Sequence, residues 1–195
     1  LARSSDRGET WGDPWFAPDF DWSGVEVPGI AQLSDGTVVL TQFRFGWYPL
    51  GVARQRRAAG EPISLCLLDV GFTEDFTAAD WDRSQHSWAR GYHGLYAHLS
   101  TDGGQTFEHT TRIDTAPYRN GFTRVGVAQL ADGCVAYAVT EHHPPTSRHT
   151  YLLLSGDSGR TWDPPVLLAD TPEGIFGEPD IVEVAPGELY CILRC

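Results

Sequence analysis

The sequence predicts an all-β chain of four-stranded antiparallel units, a partial β-propeller, and three observations predict it. An octapeptide of the form Ser-x-Asp-x-Gly-x-Thr-aromatic is written three times, at residues 4–11, 100–107 and 155–162. A hairpin signal, an Asp-Gly or Pro-Gly turn between two apolar runs, follows each octapeptide Asp by 29 or 30 residues, at 32–40, 129–137 and 183–191. The composition, with 21 Gly, 13 Pro and 12% aromatic residues and few helical stripes, suits short strands joined by turns. A supersecondary unit repeated with fixed turn chemistry at this spacing is the signature of propeller blades.

Each element follows in chain order. In the first octapeptide the Asp6 carboxylate can accept backbone N–H groups of its own turn, Gly8 supplies a positive φ, and Trp11 plugs a gap between layers. The hairpin around Asp35-Gly36 comes next. Asp102 and Asp157 are 55 residues apart, which fits four strands, whereas Asp6 and Asp102 are 96 apart. The surplus falls at about residues 46–91 and is read as an insertion that covers or shapes a functional face. It holds one strand-like run, Ile63–Leu68, between an Arg-rich segment (Arg54, Arg56, Arg57), read as a solvated loop face, and an Asp/Trp-rich one. Trp47, Tyr48, Trp81 and Trp88 could form a sugar-stacking lid or ordinary core. The remaining two octapeptides and hairpins complete the pattern. The chain, one domain over 1–195, thus opens in the outer half of one blade, holds two whole blades and stops after the inner hairpin of another. It reads as a piece of a larger propeller, or as a half that closes against another copy.

The formal net charge of −12 argues against a nucleic-acid partner, which needs a basic stripe. No apolar run reaches the roughly 18 residues of a membrane span. There is no signal-peptide pattern and no Met, which leaves room for an upstream segment. The four cysteines show no C-x-x-C spacing, so neither a metal nor a disulfide is expected, and nothing calls for a cofactor. The oligomeric state is not readable.

The octapeptides resemble the Asp-box, or BNR, repeats of the sialidase (neuraminidase) superfamily, whose members are six-bladed propellers. The resemblance implies that Asp6, Asp102 and Asp157 are structural, on turns between the third and fourth strands of a blade and away from the active site. A narrower similarity covers residues 177–194, like the family stretch in which a Glu precedes the innermost strand and an Arg closes the hairpin. Glu178 and Arg194 are 16 residues apart, and an antiparallel hairpin brings the start of its first strand beside the end of its second. By resemblance, Glu178 is the base partner of a nucleophilic Tyr and Arg194 grips the substrate carboxylate, which fits the family's use of Tyr as nucleophile and the pairing of guanidinium with carboxylate.

Equivalent positions of the other two hairpins place Arg44, Arg124 and Glu141 on the same rim as further substrate-binding candidates. His142 and His143 follow Glu141, but adjacent residues of an extended strand point oppositely and no third ligand has a recognisable spacing. The expected function is an exo-glycoside hydrolase of sialidase type, removing a terminal acidic sugar from a glycoconjugate. Its rivals are a non-catalytic propeller that binds glycan or protein, and a hydrolase of a neutral polysaccharide, against which Arg124 and Arg194 weigh. The family's remaining clamp arginines, its acid/base Asp and its Tyr would lie before Leu1 or after Cys195, so the chain by itself is not expected to be a competent sialidase. A secreted or periplasmic location is what the resemblance implies.

Overall fold

The structure, a computed structural model, describes residues 1–18, 23–25, 28–119, 121–123, 125–141, 149–170 and 177–194, of 23–25 the backbone alone. The strands are β1 (Ser23–Val25), β2 (Gly29–Gln32), β3 (Val38–Pro49), β4 (Ile63–Leu67), β5 (Gly71–Thr73), β6 (Trp88–Ser100), β7 (His109–Ile113), β8 (Ala128–Gln129), β9 (Val135–Thr140), β10 (His149–Ser155), β11 (Val166–Asp170), β12 (Gly177–Ala185) and β13 (Glu188–Arg194). Helix α1 (Leu50–Ala58) and a 3₁₀ helix (Ala78–Arg83) lie between β3 and β6. Among the described residues the chain is mostly β, its pairings antiparallel and none of its sheets closed into a barrel. Strands β2-β3-β6-β7 run as one meander, β8-β9-β10-β11 as a second, and β12-β13 form a hairpin.

The three sheets stack because alternate residues of each strand point to opposite faces. Phe43, Phe45, Leu95 and Ala97 of the first sheet pack against Tyr137, Val139, Tyr151 and Leu153 of the second. The other face of the second sheet, with Ala136, Ala138 and Leu152, takes Ile181 of β12 and Leu189 of β13. The outer face of that last hairpin is exposed and apolar: Val182, Val184, Tyr190 and Ile192.

The octapeptide turns link third strand to fourth, 100–107 between β6 and β7 and 155–162 between β10 and β11. One bonding scheme serves all three copies. The Ser hydroxyl donates to the Asp carboxylate and accepts the N–H of the turn Gly at 2.8 Å, and the carboxylate takes the Thr backbone and hydroxyl. Two successive residues of each turn have left-handed φ, Arg7-Gly8, Gly103-Gly104 and Ser158-Gly159, which explains the Gly at the second.

A second periodic contact joins successive sheets. Ser34 N–H, in the β2-β3 turn, donates to Gln129 Oε1 of β8 at 2.7 Å. Ala131 N–H, in the β8-β9 turn, donates in the same way to the Glu183 carboxylate of β12. Ser34 and Ala131 are equivalent positions of the hairpin repeat, as are Gln129 and Glu183. Ser158 of the third octapeptide adds a 2.8 Å bond to Asp35.

The surplus between β3 and β6 is more ordered than its sequence suggested. β3 and β6, 12 and 13 residues long, continue past the meander, β4 pairs with the start of β6, and β5 pairs with β4. Tyr48, Ala53, Ile63, Leu65, Leu67, Phe76, Trp81 and Ala89 form a separate core under α1 and the 3₁₀ helix. Tyr48 and Trp81 are therefore core residues and not part of a lid. The Arg-rich segment is a helix and not a solvated loop: Arg54 pairs with Asp82, Arg56 with Glu61, and Arg57 lies on the Phe76 ring and donates to three backbone carbonyls. Among the described residues no helix is long and apolar enough to cross a membrane.

Candidate functional site

In a meander the first and third turns share an end, so the octapeptides and the Asp-Gly turns lie together and the other strand ends lie opposite. At that opposite end are the insertion, the segment after β9, the start of β12 and the end of β13. Gly177 lies against Thr140, the last residue of β9, and Thr123 donates to Pro179 O at 3.5 Å. The ends of the second and third sheets are thus in contact.

Glu178 and Arg194 are brought together as a salt bridge of 2.7 Å. Gly177 pairs with Arg194, but the register slips before Asp180 and Glu178 takes φ 52°, a left-handed conformation that is costly for a residue with a Cβ. This bulge turns the Glu178 side chain toward the strand end, where it is 13% exposed while that of Arg194 is 73% exposed. A guanidinium carries five N–H donors, so one carboxylate does not exhaust Arg194.

Glu141, buried just beyond β9, accepts Arg119 N–H at 2.9 Å and shares a short hydrogen bond with His149 Nδ1. His149 Nε2 faces Asp170 at 3.7 Å, and the Tyr118 ring lies between His149 and Tyr151, at 5.3 and 4.7 Å from their centroids. The Arg119 guanidinium reaches Glu74 of the insertion at 2.6 Å. A cleft of about 650 Å³ opens beside that bridge, lined by Arg57, Glu61, Glu74, Asp75 and Arg119. His149, Asp170 and Arg119 were not singled out from the sequence. His149 was within reach of it, because β10 pairs back on β9 and sets position 149 beside Glu141.

Arg44 is buried on β3 with its guanidinium 5.1 Å from the Tyr96 ring centroid. It pairs with Gly94 at a bulge of β6, and the neighbouring His93 shares a hydrogen bond with the Tyr48 hydroxyl. Arg124, His142 and His143 lie outside the described residues.

This end offers a partly exposed carboxylate beside an exposed guanidinium, and a carboxylate–imidazole pair through which a proton can move. Tyr137 and Tyr151 are core residues and Tyr92 packs against them, and burial pushes all three phenols above the ordinary range, the opposite of what a phenolate nucleophile needs. No group of three His, Cys, Asp or Glu side chains among the described residues could hold a metal ion. The octapeptide carboxylates of Asp6 and Asp102 are held far below the ordinary range, chiefly by the hydroxyls of Ser4 and of Thr106 respectively, so they are saturated acceptors at the far end.

No family model matches the chain, and no curated protein matches it. A solved structure described as an unknown function protein from Dyadobacter fermentans DSM 18053 is similar, with a TM-score of 0.71 and 19% identity over 99% of this chain. The chain spans about half of that one, 50%. A likeness at this identity concerns the fold alone.

Proposed function

We propose that the chain is part of a sialidase-like β-propeller whose strand ends opposite the octapeptides bind a terminal acidic sugar, and that the whole protein cleaves it. The observation that carries this reading is the Glu178–Arg194 pair, set at that end by a strained bulge, with Glu141 on the neighbouring strand end. Two successive four-stranded meanders and a third hairpin, stacked face to face, support the propeller. In this reading Arg194 receives the sugar carboxylate and Glu178 serves as base toward an attacking Tyr. The sialidase identity rests on the octapeptide resemblance and on this placement.

A second reading, a glycan-binding propeller without hydrolysis, is favoured by the Arg194 guanidinium already being engaged by Glu178. Hydrolysis of a fluorogenic sialoside by the full-length protein separates the two. Glu178→Gln and Arg194→Ala are each expected to lower kcat/KM by about a hundredfold or more, with the melting transition nearly unmoved. Unchanged turnover in either variant removes the role given to that residue. Saturable binding of the sialoside without turnover selects the second reading.

A further inference from the structure

The two faces of the inserted ribbon β3-β6-β4-β5 differ. One packs under α1 and the 3₁₀ helix. The other carries a run of rings that begins in the core at Phe45 and climbs outward through Trp47, Trp88, Phe72 and His86. Register explains the run: Trp47 pairs with Arg90, Trp88 lies two residues along β6 on the same face, and Phe72 joins them from β5 across Cys66. Successive centroids are 5.2, 5.8 and 5.7 Å apart, and the His86 and Trp88 rings are parallel within 3° at 4.5 Å. The Arg90 guanidinium lies 4.3 Å from the centroids of both Phe45 and Phe72. Trp47, at the middle of the run, is 44% exposed.

The Trp47 and Trp88 planes meet at 55°, so a ligand for this surface must offer C–H faces to two tilted rings and acceptors or donors at its edge to the imidazole and the indole N–H. A pyranose has that chemistry, with axial C–H bonds on one face and equatorial hydroxyls around it. An aliphatic protein surface offers the first without the second. Trp88 is also held before any ligand arrives, since it stacks with His86 and Phe72 and the ribbon has its own core behind it. We infer that Trp47 and Trp88, with His86, form a saccharide-binding platform on the insertion, built without Glu178 or Arg194 and able to hold a pyranoside whether or not that pair is catalytic.

Isothermal titration of the chain with N-acetyllactosamine and with chitotetraose, followed in parallel by tryptophan fluorescence, tests this. Saturable binding of at least one sugar is expected, weakened about tenfold or more by Trp47→Ala and by Trp88→Ala. Trp47→Phe keeps a ring at the exposed position and is expected to retain most of the affinity, which separates loss of the platform from loss of the fold. Glu178→Gln and Arg194→Ala are expected to leave this binding unchanged even if they abolish sialoside turnover. The assignment is overturned if neither sugar binds, if binding survives both Trp→Ala changes, or if it is lost with Glu178→Gln. It is equally overturned if the face proves to be a contact between copies, seen as a concentration-dependent mass that Trp47→Ala abolishes.

Discussion

Ser155 is buried and holds three bonds of its turn, one given to the Asp157 carboxylate and two taken from Asp157 N–H and Gly159 N–H. Ser155→Ala leaves these groups wanting and is expected to cost about 1–3 kcal/mol in urea denaturation. The octapeptide carboxylates also make stability depend on pH. Asp157 resists partial burial, which acts to raise its pKa, and through bonds to Thr161 and Ser155 ends below the ordinary 3.8, as Asp6 and Asp102 do. A depressed native pKa stabilises fully above that ordinary value, and the contribution is lost as pH falls below it toward the native value. The urea midpoint should therefore drop in that acidic window, and drop less steeply in Asp102→Asn, which lacks one of the three titrating groups. Gly29 illustrates a different constraint: a Cβ there would sit 2.1 Å from Gly126 Cα, so Gly29→Ala forces backbone apart and is expected to cost about 3 kcal/mol. Local chemistry of this kind was legible in the sequence, since the octapeptide states its own bonds. So was the meeting of Glu178 with Arg194, which follows from hairpin geometry. The positive φ of Glu178 was not, although Pro179, which has no N–H to give the ladder, marks the place where the register slips.

The strands of the three hairpins lie where the repeat placed them, because an Asp-Gly turn between apolar runs admits few alternatives. Helix α1 departs from the solvated loop that its charge suggests. Its Leu, Ala, Arg and Gln residues are good helix formers, but its charge was read as solvation, whereas Arg54, Arg56 and Arg57 turn back onto Trp81, Tyr48 and Phe76. The insertion is tied to the body of the protein by the Arg119–Glu74 bridge, with Arg119 N–H also held by Glu141. Arg119→Ala should loosen that tie by about 0.5–1 kcal/mol, so that backbone amides at 61–77 exchange hydrogen about two- to fivefold faster while β9 and β10 keep their protection. Equal acceleration throughout would mean that the bridge stabilises the whole fold and not the insertion.

At the scale of the molecule, the sheets stack in sequence order and the last one ends on bare side chains, Val182, Val184, Tyr190 and Ile192. A surface of that kind seeks cover. Isolated from the rest of the propeller proposed above, the chain is expected to self-associate in sedimentation velocity as concentration rises, and Tyr190→Lys with Ile192→Lys to keep it monomeric at the same concentrations. The contact between successive sheets adds a rule about how copies can meet. Each unit gives an N–H from its turn to the unit after it and supplies a side-chain acceptor to the unit before it: Ser34 to Gln129, then Ala131 to Glu183. Gln32, at the acceptor position of the first hairpin, holds the same internal bond to Gly36 that Gln129 holds to Gly133. The stack therefore has a donor sense, like a row of hooks and eyes all sewn in one direction. Two copies that extend it join hook to eye, through unlike surfaces, so the association runs to closed rings, of which a pair joined at both ends is the smallest, or to open chains.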